Sequence, residues 1–99
     1  MKIRLLSIAW HDLEEGRNFY ERQSSDLSDY FLDSLYSDIE SLSLYGGIHR
    51  QYRGYHRLLS KRFPYAVYYK MDNLSVEVWR ILDCRKDPRK ITAALPNPN

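Results

Sequence analysis

Lys-Arg-Phe-Pro-Tyr-Ala-Val-Tyr-Tyr-Lys-Met, residues 61–71, reads as the start and body of one strand. The chain enters through Phe63-Pro64, and the side chains then alternate. Tyr65, Val67, Tyr69 and Met71 point one way; Ala66, Tyr68 and Lys70 point the other. Such a tyrosine-rich strand belongs inside a sheet. At 83–90, Asp-Cys-Arg-Lys-Asp-Pro-Arg-Lys ends the following strand in a basic cluster closed by Pro88. A buried strand whose neighbour ends in arginines is a rigid platform for positive charge.

Working outward, Asp72-Asn73 offers a two-residue hairpin turn, because both residue types tolerate positive φ. Leu74 to Asp83 follows as the next strand, with Val76 and Val78 on one face and Glu77, Trp79 and Ile81 on the other. Upstream, Gly54 to Ser60 reads as a strand and Ile48 to Arg53 as a loop. Toward the N-terminus, Lys2 to Ile8 reads as a first strand. Leu13, Gly16 and Tyr20 recur at helical spacing over Trp10 to Gln23. Gly16 costs such a helix about 1 kcal/mol relative to Ala, which predicts close approach to the second helix or the sheet. Ser24-Ser25-Asp26 supplies an N-cap, and Leu27, Phe31, Leu35, Ile39 and Leu42 form the next helical stripe. Gly46-Gly47 ends it. Arg89 to Ala94 adds a helical turn. The expected architecture is α+β, in the order β-α-α-β-β-β. A helix hairpin packs on one face of a mainly antiparallel four-stranded sheet. Residues 1–94 make a single domain and residues 95–99 a flexible tail.

Composition narrows the function. The 99 residues are 43% hydrophobic and 14% aromatic, enough to fold. There is no apolar run of about 18 residues and no signal-peptide pattern at the start, so a soluble, cytoplasmic protein away from membranes is expected. Cys84 stands alone, which fits a reducing compartment. His11, His49 and His56 lack the spacing of metal ligands, and no cofactor motif is present. The net charge of +2 conceals a division. Residues 1–47 hold four Lys/Arg against nine Asp/Glu, a balance of −5, and residues 48–99 hold eleven against four, a balance of +7. This asymmetry points to a face for an anionic partner.

The element order, the helix hairpin, the Phe63-Pro64-Tyr65 entry, the Tyr68-Tyr69 pair and the Arg85-Lys86-Asp87-Pro88 exit together resemble the RelE/ParE family of bacterial type II toxins. The resemblance covers nearly the whole chain. It implies a toxin neutralised by direct binding of a cognate antitoxin, in a toxin–antitoxin hetero-oligomer. It also implies one of two targets: DNA gyrase for ParE-like members, or messenger RNA in the ribosomal A site for RelE-like members, which cut it without metal.

Metal-free RNA cleavage needs a base, an acid and fixed cations. Aligned with the RelE-like ribonucleases, Leu58 and Tyr65 stand where two basic residues would be, and His56 where a third would be. Arg85 matches the arginine after the last strand, but no Tyr or His follows Tyr69. Half the ribonuclease set is thus absent, and the ParE-like reading is favoured. A residual ribonuclease would use His56 as base and Arg85 among its phosphate-holding cations. The bland reading of the basic residues is a solvated sheet edge. The sharper one makes Arg53, Arg57, Lys61, Arg62, Arg80, Arg85, Lys86 and Arg89 a surface for an anionic partner, since guanidinium groups grip carboxylates and phosphates. Arg80 is expected to share a face with Arg57 and Arg85. An interaction module without toxic activity is the third reading.

Overall fold

The computed structural model describes residues 1–96. Its elements run β1 (Lys2–Leu5), α1 (Ser7–Glu21), α2 (Ser25–Glu40), α3 (Leu42–Tyr45), β2 (Gln51–Tyr52), β3 (Tyr55–Leu59), β4 (Tyr65–Met71), β5 (Ser75–Asp83) and α4 (Pro88–Ala94). The sheet has five strands in the order β1-β5-β4-β3-β2, rather than four. Among the described residues only the β1–β5 pair is parallel. The α+β class and the helix hairpin are as expected.

The extra strand lies in the stretch read as a loop. Tyr52 pairs with Tyr55, so Arg53-Gly54 is a two-residue hairpin turn. Arg53 has φ 55° and Gly54 φ 85°. Positive φ at both central residues gives the turn whose twist matches the flanking strands. Arginine is a poor choice for it, because an L-residue there crowds its Cβ against the backbone, so the sequence did not advertise the turn. Arg53→Gly is therefore expected to stabilise the protein by about 0.5–1 kcal/mol, read as a rise in the urea midpoint at constant slope.

The first strand ends at Leu5, not Ile8, and α1 begins at Ser7. Ala9, Leu13, Gly16 and Tyr20 form its buried stripe, while Ile8 and Trp10 stay exposed. Gly16 is where two layers meet. A Cβ there would lie 2.5 Å from Phe31 Cζ on α2 and 3.2 Å from the Tyr65 hydroxyl on β4. Phe31 is fully buried and ringed by Tyr20, Phe63 and Tyr65, so it cannot yield. Gly16→Ala should consequently destabilise by about 1–3 kcal/mol despite its better helix propensity, seen as a lowered Tm. Ser24 caps α2, its hydroxyl accepting from the Leu27 amide at 3.0 Å.

Between β4 and β5 the connection is three residues, not two. The Asp72 carboxylate accepts from the Leu74 and Ser75 amides at 2.8 and 2.9 Å. These two backbone hydrogen bonds are the main reason its carboxyl lies below the usual range.

The two sheet faces differ. Tyr65, Val67, Tyr69, Val76, Val78 and Ile81 join the helices in the main core. Tyr55, Ala66, Tyr68, Leu82 and Leu95 form a second cluster on the opposite face, beneath α4. Ile81 thus lies with Val76 and Val78, contrary to simple alternation. A β-bulge is the cause: Tyr68 pairs with Arg80 and Tyr69 with Val78, so Trp79 is the additional residue and the phase shifts.

Of the tail expected at 95–99, residues 97–99 lie outside the described residues. Leu95 is buried, and the Pro96 carbonyl accepts from the Tyr55 hydroxyl at 2.6 Å. The folded unit therefore extends through Pro96.

Candidate partner-binding surface

Strand register places the basic residues. β4 begins at Tyr65 opposite Asp83, so the β3–β4 connection and the exit of β5 share one end of the sheet. The end of α1 and the start of α2 lie there too, since Phe63 packs against Tyr20 and Phe31. Lys61, Arg62, Arg85 and Lys86 are brought together at this end. Arg22, which the sequence reading did not single out, joins them as the C-cap of α1, its Nε donating to the Asn18 carbonyl at 3.3 Å.

Two guanidinium groups here sit on exposed aromatic rings. Arg62 lies 5.8 Å from the Tyr30 ring centroid and Arg85 5.7 Å from that of Phe19. Each ring screens one side of its cation from water and limits where it can swing. Arg85 also bonds Asp83 through Nε at 3.0 Å and Nη2 at 2.7 Å, yet its side chain remains 53% exposed. Burial alone would raise the Asp83 carboxyl. The Arg85 hydrogen bonds outweigh it and hold the group below the usual range.

Between α1 and the end of β5 runs a groove of about 370 Å³, with Gly16, Phe19, Arg22, Tyr65, Asp83 and Lys86 in its lining. Burial is the first cause that raises the Tyr65 phenol, with Asp83 adding to it. A second recess, of about 200 Å³, separates Ser34, Ser37, Asp38 and Ser41 from Leu58, Lys61 and Arg62. Within it the Ser60 hydroxyl donates to Asp38 Oδ2 at 2.7 Å.

Arg57 occupies the neighbouring open face. Its guanidinium lies 5.2 Å from the Tyr52 ring centroid, opposite Tyr68 on β4. Burial pushes the Tyr68 phenol up, and the Arg57 guanidinium pulls the other way.

Three expected members of the surface stand elsewhere. Arg53, at the tip of the β2–β3 hairpin, is at the opposite end of the sheet. Arg89 pairs with its own helix cap, Asp87, at 2.9 Å on α4. Arg80 shares the sheet face of Arg57, both in register with Tyr68, but its guanidinium is engaged rather than open. The Asp12 carboxylate takes its Nε and Nη2 at 2.7 and 2.9 Å, and the Ala94 carbonyl accepts from its Nη1 at 3.1 Å. The physical reason is the sheet edge. β1 stops opposite Val78, so the Ile81 amide has no strand partner, and Asp12 comes down from α1 to accept from it at 3.0 Å. A buried carboxylate in that position needs a cation, and Arg80 is adjacent.

His56 neighbours Arg57 on β3 but faces the helix side. It pairs with Tyr69 and stacks on its ring at 5.0 Å, while Nδ1 lies 3.0 Å from the His49 carbonyl. His56, Arg57 and Arg85 therefore do not converge on one point. Among the described residues no group of three or more His, Cys, Asp or Glu could hold a metal ion, and no helix is long and apolar enough to cross a membrane.

No protein-family model matches the sequence, and no curated protein matches it. Among solved structures, a chain of the "Chromosomal ParDE TA system from P. aeruginosa" superposes with a TM-score of 0.74 at 16% identity, over 82% of this chain and 92% of that one. At this identity the likeness shows the fold, and that fold is ParE-like.

Proposed function

We propose that this chain is a ParE-like toxin of a type II toxin–antitoxin pair, which acts by binding proteins and is neutralised by a cognate antitoxin. One observation carries the reading: the ParE-like fold presents clustered cations at one sheet end while His56, Arg57 and Arg85 point apart. An acidic antitoxin segment suits the end built from Arg22, Lys61, Arg62, Arg85 and Lys86, whose exposed rings Phe19 and Tyr30 add apolar contact. DNA gyrase is the cellular target that this branch of the family implies, and growth inhibition in the cytoplasm is the outcome. Plasmid stabilisation would follow where such a pair is carried on a plasmid.

The test has two arms. Expressed alone, the protein should arrest growth, and co-expression of the small acidic protein encoded beside it should restore growth. Purified protein should block gyrase supercoiling and leave ribosome-bound messages uncut. A-site cleavage lost in His56→Ala or Arg85→Ala would replace this reading with the ribonuclease one. Normal growth on unopposed expression would leave only an interaction module.

A further inference from the structure

The segment that follows α3 is fastened to the sheet through two histidines and a buried tyrosine. The Gly47 amide donates to the Tyr69 hydroxyl at 2.9 Å, and the same oxygen lies 2.6 Å from His49 Nδ1. His56 Nδ1 lies 3.0 Å from the His49 carbonyl, and the Arg57 amide donates to the Arg50 carbonyl at 3.0 Å.

The Gly47 amide donates to the Tyr69 oxygen, which leaves the buried phenolic hydrogen in need of an acceptor. Neutral His49 with its hydrogen on Nε2 offers one at Nδ1, 2.6 Å away. His56 faces a carbonyl, which can only accept, so its Nδ1 carries a hydrogen. Once protonated, His49 presents N–H to the tyrosine O–H, and the phenolic hydrogen must turn away. Tyr69 is fully buried, so water does not take that hydrogen.

The groups facing the His49 ring are Tyr69 from β4 and His56 from β3. Burial first, then the charge of His56, sets its pKa below the ordinary imidazole value, and no carboxylate offsets them among the described residues.

We propose that His49 is a proton-operated latch: neutral, it holds residues 47–52 against the edge of β3; protonated, it releases them and bares that edge. Because the folded pKa is the depressed one, the latch is fully closed above the unfolded imidazole value. It loosens as pH falls toward and through the folded one.

Amide hydrogen exchange followed by NMR at about pH 5 and about pH 7.5, either side of the free imidazole value and corrected for intrinsic rates, tests this. Opening at Gly47 and Arg57 should be clearly greater at the lower pH, the direction that a depressed folded-state imidazole pKa requires, while β4 amides stay unchanged. His49→Gln retains a side-chain acceptor but cannot titrate, and should bring the ratio to about one. His56→Gln should keep the greater part of the ratio, since burial comes before the His56 charge as the cause. Equal opening at both pH values in the wild type, or an unchanged ratio in His49→Gln, overturns the proposal.

Discussion

Asp12→Ala is expected to cost about 3–5 kcal/mol, the range for removing one member of a buried ion pair. Asp12 and Arg80 have side chains only 5% and 21% exposed, so water replaces little of what is lost. The substitution strands two groups together: the Arg80 guanidinium and the Ile81 amide, both of which this carboxylate accepts from. Asp12→Asn keeps one acceptor for the amide and forfeits the charge, so it should fall between wild type and alanine. The double variant Asp12→Ala with Arg80→Met removes the orphaned charge and should recover part of the loss, since apolar replacements of buried pairs are often tolerated. Urea unfolding of the four proteins reads the series. Equal stability of Asp12→Ala and wild type would show that the edge is held some other way.

Leu95→Ala should cost about 2–5 kcal/mol, the range for emptying a buried leucine site. The reason lies in how α4 is attached. None of the residues Pro88–Ala94 is itself buried, and the helix is tied by Leu95, by the Ala94 carbonyl on Arg80 and by the Pro96 carbonyl on Tyr55. Leu95 packs with Tyr55, Ala66, Tyr68 and Leu82. Its loss removes the buried apolar anchor and leaves the partly buried Ile91 and Ala94 and two hydrogen bonds to hold two helical turns. The predicted signature is twofold: a lower urea midpoint, and faster exchange at Ile91–Leu95 than in the rest of the chain. A midpoint shift without local loosening would mean that α4 unfolds only with the sheet.

Much of this fold was legible because period and burial agree in the sequence. The β4 alternation from Tyr65 to Met71 and the α2 stripe from Phe31 to Ile39 both read correctly, since one face of each is core. Reading failed where a local irregularity broke the period. Trp79 shifts the phase of β5 by one, which moved Ile81 from its expected side. Arg53-Gly54 disguised a tight turn, because arginine is not a residue that invites positive φ. Ser7 and Ile8 looked extended because Leu6 and Ile8 continue the alternation of the first strand, although Ile8 lies exposed on α1.

The cationic end was only half legible. Lys61, Arg62, Arg85 and Lys86 lie close to the turns that gather them, and strand pairing could be anticipated there. Arg80 was lost to Asp12, a contact across 68 positions that no local pattern encodes. Arg22 was missed for the complementary reason: its membership depends on where α1 ends in space, not on its neighbours in sequence.

The parallel pairing of the first strand with the last has a consequence for synthesis. Lys2 to Leu5 emerge from the ribosome early, yet their hydrogen-bonding partners, Ser75 to Val78, are made more than seventy positions later. Until then the helix hairpin has no complete sheet to cover, and Asp12 has neither Arg80 nor the Ile81 amide to meet. Such long-range closure is slow relative to helix formation, so a nascent chain cut short before β5 would carry its opening strand unpaired.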